Sequence, residues 1–396
     1  MTKEVKKLWQ VDTPLHPLVQ QYTAGDDVIH DQVLLPYDIQ GTKAHAKMLL
    51  KKGIFKQAEY NELVAALDNL IVLWQDGKFV ITPEQEDAHT AIEQYLTEQL
   101  GDIGKKVHTG RSRNDQATVM VRLYLAEQVT HVIEQLNTVV TAFEAVASHR
   151  NDDMPGYTHM QKAMPTTVKV WLKSYADALR DANFGMEATA KLIDQNPLGS
   201  ASGFGIANFD NDRQLTAKEL GFGSVQDNPQ YVGLSRGLFE YSFLQSLSYI
   251  MLIVSRFASD MMLFTTQEFN YFSLPNEYTT GSSIMPHKRN YDLFEIMRAN
   301  TATVLADQQH ISGTYTKLMS GYNRDLQTIK ASLMRSTGIV NATLELLAEV
   351  VPKIQVNKTQ LADAMTDDLY VTEQVYELVK SGMPFREAYL EIKKQL

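Results

Sequence analysis

The sequence contains no cysteine in 396 residues. That absence excludes disulfides, thiolate nucleophiles, iron–sulfur clusters and cysteine-ligated zinc. Positive charge is in deficit: 37 Lys and Arg stand against 47 Asp and Glu, a formal net charge of -10. Such a chain repels phosphate backbones and anionic lipid, which argues against nucleic-acid and membrane-surface partners. Long hydrophobic runs are also lacking. The most apolar short stretch, Tyr249 to Val254, is cut off by Arg256 and is too short to span a bilayer. Met1 to Lys7 carry charge with no apolar run behind them, unlike a secretory signal. The expectation is a soluble cytoplasmic protein. The histidines show no H-E-x-x-H spacing, and there is no phosphate loop or dinucleotide fingerprint, so no metal or organic cofactor is implied.

Glycine and proline are missing from two long stretches, Arg111 to Met154 and Leu238 to Leu274. In the first, Leu125, Val129, Val132, Leu136, Val139, Phe143 and Val146 recur at spacings of three and four, one apolar stripe on a long helix. In the second, Leu244, Leu247, Met251, Val254, Phe257 and Met261 share a face. A helix of this length extends roughly 50 Å. Shorter helical stretches follow Pro165, Asn290 and Tyr322, the last crossing Gly338. No alternating segment of comparable length occurs. The chain is therefore expected to be all-α, with about five long helices in a central bundle. Residues 1–108 should form an N-terminal domain of shorter helices broken at Gly53, Gly77, Pro83 and Gly101. Residues 109–356 should form the bundle and 357–396 a small helical cap. Helices this long bury their stripes over their whole length, which points to an oligomer.

Polar segments lie between the helices. His108 to Gln116 places Arg111, Ser112, Arg113 and Asn114 around Gly110, just ahead of the first long helix. Guanidinium forks match carboxylates and a helix start favours anions; the plainer alternative is a capping segment with solvated arginines. In Gly156 to Gln161, Thr158 and Gln161 flank His159 and can orient its imidazole for proton transfer or charge stabilisation; a lone loop histidine is more often structural or solvated. From Thr279 to Asn290, Gly281, Ser282 and Ser283 can form a loop whose N–H groups cradle an oxyanion, with Lys288 and Asn290 adding charge and a donor. Most strings of that kind are simply basic surface loops. Asp87 and His89 cluster in Glu86 to Thr90, and Gln327 and Lys330 lie three apart after Tyr322; each alone would read as a solvated helix face.

With all five segments in order, the chain resembles the argininosuccinate lyase family of the fumarase/aspartase superfamily, from about Leu8 to Ala388. Gly281 to Asn290 looks like the superfamily's shared loop, while the wording of His108 to Gln116 is typical of argininosuccinate lyases. Asn196 to Ser200 and Gly382 to Ala388 point the same way. The resemblance implies a three-domain, all-α subunit. Four such subunits would form a homotetramer with a twenty-helix core, each active site drawing on three chains. It implies cleavage of argininosuccinate to arginine and fumarate, with Ser282 as the base that removes a Cβ proton. Lys288 and Asn290 would stabilise the aci-carboxylate, and His159, poised by Glu295, would act as acid or charge stabiliser. Asn114, Thr158, Tyr322, Gln327 and Lys330 match substrate-holding positions, with Gln161, Ser112 and Ser283 beside them. Arg111, Arg113 and Arg236 match carboxylate-binding or nearby positions, and Asp87 and His89 a segment lining the site. Alternatives are a lyase for another N-substituted aspartate and a catalytically silent descendant of the fold.

The chain also departs from the family's pattern. Tyr291 stands where proline is usual, His287 where glutamine is common, and Gly25 or Asp27 where many members have a substrate-binding serine. The segment Asp227 to Gly237 lacks the common acidic pattern around Arg236 and resembles a subset of the family. The chain ends soon after Ala388, earlier than most relatives, so a short C-terminal cap is expected.

Overall fold

The computed structural model describes residues 15–396; the N-terminal segment Met1 to Lys7 lies outside the described residues. Five long helices run between residues 113 and 350, namely Arg113–Ser148, Val168–Ile193, Leu238–Phe264, Asp292–Tyr315 and Ile329–Val350, and a sixth of comparable length, Asp27–Lys51, lies ahead of them where only shorter helices are expected. The two breaker-free stretches supply the two longest, and the other three begin shortly after Pro165, Asn290 and Tyr322. Both apolar stripes are buried almost throughout. Leu125, Val129, Val132, Leu136, Val139 and Phe143 are at most 1% exposed, and Leu244 through Met261 on the second stripe likewise. Val146 is only half-buried, and Ala147 takes its place at the end of the first stripe. Full burial of a residue of this size contributes about 1.5–3 kcal/mol.

Within Pro229–Phe264 an 18-residue window reaches a mean hydropathy of 1.4, long and apolar enough by composition to cross a membrane. Half of that window is buried inside the protein, and the stripe from Leu244 to Met261 belongs to the core just described.

The chain groups into two compact units, and the boundaries fall within the five long helices. The first comprises 1–132, 185–247 and 304–338. Its N-terminal portion holds helices Asp27–Lys51, Gln57–Gln75 and Ala88–Leu100, ending next to Gly53, Gly77 and Gly101. Asp27–Lys51 runs for 25 residues with Pro36 inside it. Proline has no N–H to give to the carbonyl four residues back. That carbonyl, on Gln32, instead accepts the Trp74 indole N–H at 2.7 Å, which repairs the missing bond.

The second unit comprises 133–184, 248–303 and 339–396. Asp153–Thr158 and Gln161–Thr167 form an antiparallel hairpin with a register shift at Gly156/Tyr157, where the sequence reads as a loop. The short strands Thr280–Gly281 and Arg289–Asn290 pair antiparallel and close the Ser282 loop at its base. Helices Lys358–Ala364, Val371–Lys380 and Phe385–Lys393 lie near the C-terminus, where Val375, Ala388 and Ile392 make a small core of their own.

Candidate active site

Five stretches of the first unit converge on a cavity of about 230 Å³. At its floor Lys330, on the first turn of Ile329–Val350, extends into the start of Asp27–Lys51. Its Nζ lies 2.6 Å from Asp31 Oδ1 and 3.0 Å from Asp27 Oδ1. All three groups are buried. Burial opposes the Lys330 charge, but Asp31 and then Asp27 outweigh it, so the ammonium titrates above its usual value. Asp27 fares worse: burial pushes its carboxyl up to about 6 against the pull of Lys330, and the Asp31 charge adds to the rise.

Asp87 caps the Ala88–Leu100 helix, accepting the Thr90 N–H at 2.8 Å, and its other oxygen lies 2.7 Å from Arg113 Nη2. Burial raises this carboxyl, yet His89 and Arg113 more than offset that and hold it below its ordinary value. The Ala88 N–H donates to Asp31 Oδ2 at 3.0 Å, tying the segment to the lysine triad. His89 Nδ1 sits 2.6 Å from Asp38 Oδ2, both buried. Burial works against an imidazolium there, but Asp38 overcomes it and the net shift is upward. Glu86, held at φ 68°, also lines the cavity.

Arg113, Asn114, Arg236, Tyr322 and Gln327 complete the polar lining together with Arg324. The Arg236 guanidinium lies 4.3 Å from the centre of the Tyr322 ring. Its Nη1 is buried without a hydrogen-bond partner among the described residues. A buried donor left unpaired costs about 1–3 kcal/mol, which a carboxylate entering the cavity would recover. Gln327 Nε2 reaches the carbonyls of Thr23 and Ala24 at 3.1 and 3.2 Å, pinning the segment ahead of Asp27.

The His108 to Gln116 motif divides its labour. Arg113 and Asn114 line the cavity, whereas Arg111 and Ser112 build the loop. Arg111 is buried and donates to Thr42 Oγ1 at 2.9 Å. Ser112 gives its N–H to Asp115 Oδ1, and its hydroxyl accepts the Asn114 N–H. The second Asp115 oxygen accepts the N–H groups of Gly199 and Ala201 at 3.1 and 3.0 Å. This explains the Asn196 to Ser200 wording, because Gly199 has φ 91° and a Cβ there would meet Arg213 Cγ at 2.8 Å.

The remaining candidates belong to the second unit and lie on exposed or half-exposed loops. Ser282 Oγ accepts the N–H groups of Ile284 and Met285 at 3.3 and 3.1 Å, folding the loop around its own hydroxyl. Ser283 and Lys288 are exposed, Asn290 donates to the Gly281 carbonyl at 3.4 Å, and Glu295 is exposed on the first turn of Asp292–Tyr315. Thr158 and Gln161 are the paired residues at the hairpin end, with His159 and Met160 between them at φ 53° and 63°. Two successive left-handed residues make a type I′ turn, unusual without Asn or Gly and costing about 1–3 kcal/mol per strained residue. It presents the imidazole at the tip. Among the described residues, no hydrogen bond or ion pair joins His159 to Glu295 within one chain.

Sequence reasoning passed over Asp31, Asp38, Glu86 and Arg324 as site residues. Asp27, Asp31 and Asp38 stand four and seven apart, one face of a helix, and acidic residues repeating on a helix's buried face are the signal that was available.

A family model described as lyase matches residues 12–306. The fold also recurs at low identity in an EDDS lyase and in the class II fumarase of Schistosoma mansoni. The first superposes with a TM-score of 0.82 at 23% identity, over 96% of this chain and 76% of that one. The second gives 0.79 at 18%, over 94% and 91%. The fold and the family match define a lyase of the fumarase/aspartase superfamily. The argininosuccinate lyase of Thermotoga neapolitana is 40% identical over 97% of this chain and 96% of its own. That of Stenotrophomonas maltophilia is 41% identical over 96% and 89%. With similarity of that extent, the chain belongs to the argininosuccinate lyase family.

Proposed function

We propose that this protein cleaves argininosuccinate to arginine and fumarate, a carbon–nitrogen lyase of arginine biosynthesis acting in the cytoplasm. The observation that carries the reading is the cavity of the first unit, which gathers Arg113, Arg236 and Lys330 beside Asp27, Asp31 and Asp87. Argininosuccinate presents carboxylates, an ammonium and a guanidinium, and a lining with both signs of charge suits it.

A C–H beside a carboxylate is a very weak acid, so its electron pair must be delocalised into that carboxylate as the proton leaves. Ser282 takes the Cβ proton. A hydroxyl is a poor base unless its anion is stabilised, and the Ile284 and Met285 N–H groups already directed at Ser282 Oγ support that role. Lys288 and Asn290 hold the aci-carboxylate. Its collapse forms the fumarate double bond and breaks C–N, and the guanidine nitrogen keeps the pair and takes a proton. His159, poised by Glu295, assists at this stage, with Thr158, Gln161 and Ser283 beside the succinyl group. Arg111 and Ser112 fix the loop that presents Arg113 and Asn114.

The reading takes a homotetramer with a twenty-helix core, each site assembled from three chains, and a subunit divided at 1–108, 109–356 and 357–396. Apolar side chains left exposed on the long helices, Tyr249, Leu252 and Ile296 among them, support that assembly. The test is the ultraviolet absorbance of fumarate after argininosuccinate is added to purified protein. A rise that Ser282→Ala abolishes is expected; no rise from a folded oligomer would sink the reading.

A further inference from the structure

We propose that Asp27 determines specificity at the amino-acid end of the substrate, its carboxylate seating an α-ammonium group in the cavity of the first unit. This rests on the reading above and names which part of the substrate that cavity selects.

The argument begins with charge. Lys330, Asp27 and Asp31 are buried together, two carboxylates on one ammonium. Asp31 is committed, with one oxygen on Lys330 and the other on the Ala88 N–H. Asp27 has only the longer contact to Lys330 among the described residues. One carboxylate would neutralise the lysine, and a second buried one costs free energy until another cation arrives. Asp27 lines the cavity, so that cation can come from a ligand. Arg236, on the same lining, has its buried Nη1 unpartnered, which suits the α-carboxylate of the same amino-acid head.

The charged groups facing Asp27 are Lys330 from Ile329–Val350, Asp87 ahead of Ala88–Leu100, and Asp31 and His30 on its own helix. Burial raises the Asp27 carboxyl to about 6 against the pull of Lys330. A cationic ligand favours the ionised form. Affinity should therefore be full above that value and weaken as pH falls through it, by up to about tenfold per pH unit.

Calorimetric titration of the wild-type protein, Asp27→Asn and Asp27→Ser tests this. The ligands are arginine, agmatine (no α-carboxylate) and 5-guanidinopentanoate (no α-ammonium). Asp27→Asn should weaken arginine and agmatine about tenfold or more while 5-guanidinopentanoate stays within about twofold. The acid-side decline in arginine affinity should flatten in the variant, and the loss with argininosuccinate should fall on KM rather than kcat. Asp27→Ser, the smaller replacement, repeats the comparison if Asp27→Asn does not fold. Equal losses for all three ligands, or none, would overturn the proposal and leave Asp27 as a clamp on Lys330. If those results come from a wild-type protein that turns over argininosuccinate, the function stands without the inference. A folded wild-type protein that neither turns it over nor binds arginine removes both.

Discussion

The cavity of the first unit and the Ser282 loop of the second are both written in polar residues, yet they solve opposite problems. In the cavity most of the charges are already paired: Lys330 with Asp27 and Asp31, Arg113 with Asp87, His89 with Asp38. The residues proposed to hold substrate there also hold the fold together. In the Ser282 loop the side chains are largely exposed, and Ser282 and Asn290 form their hydrogen bonds within the loop and its base. Stability and activity should thus be inseparable in the first region and separable in the second.

Substitution of Ser282 is the sharpest probe of that contrast. Ser282→Ala should lower kcat by about a thousandfold or more while the melting temperature stays at the wild-type value. A variant that melts early would mean the loop is structural after all. Next comes a matched pair of lysines. Lys330→Met strands two buried carboxylates and should destabilise the protein by about 3–5 kcal/mol, seen in chemical denaturation. Lys288→Met, on the exposed loop, should leave the denaturation midpoint unchanged and lose turnover. Equal midpoints for the two variants would erase the distinction between the regions.

Backbone tolerance should divide in the same way. Gly199→Ala forces a side chain into φ 91° and against Arg213, at a cost of about 1–3 kcal/mol. Gly281→Ala meets no atom within 4 Å and should cost under about 1 kcal/mol.

A further effect concerns pH. His45 is buried with its Nε2 2.9 Å from the Thr109 carbonyl, and burial first, then Arg111, lower its pKa from 6.5 to about 3. The folded state excludes a proton that the unfolded chain accepts below 6.5, so stability falls as pH drops through that window. The slope from this residue is at most about 1.4 kcal/mol per pH unit. His45→Gln should flatten the pH dependence of the melting temperature between those limits. An unchanged profile would show that His45 does not titrate differently in the two states.

Which parts could be read in advance follows from how local their causes are. The two longest helices announce themselves by the absence of glycine and proline and by stripes repeating every three or four residues. The hairpin around His159 does not. Pro155, Gly156 and Pro165 interrupt its strands, a register shift spoils the alternation, and its turn uses His159 and Met160 instead of Asn-Gly. The His108 to Gln116 segment was legible as a carboxylate-binding sequence. That Arg113 would face the cavity while Arg111 turns to Thr42 depends on residues far away in the chain. The triad around Lys330 is harder still, because it joins positions some three hundred residues apart, and only the acidic face of Asp27–Lys51 hinted at it.

The indole that repairs the proline-interrupted helix has an optical use as well. Trp74 belongs to the first unit, where its N–H is committed to the Gln32 carbonyl. Trp171 belongs to the second, stacked 4.8 Å from the Phe272 ring and donating to Asp260 at 2.9 Å. The third tryptophan, Trp9, lies outside the described residues. With Trp9 replaced by phenylalanine, removing either of the other two leaves a single emitter that reports on one unit alone. Fluorescence melts of that pair would reveal whether helices shared by both units make the chain unfold in a single step.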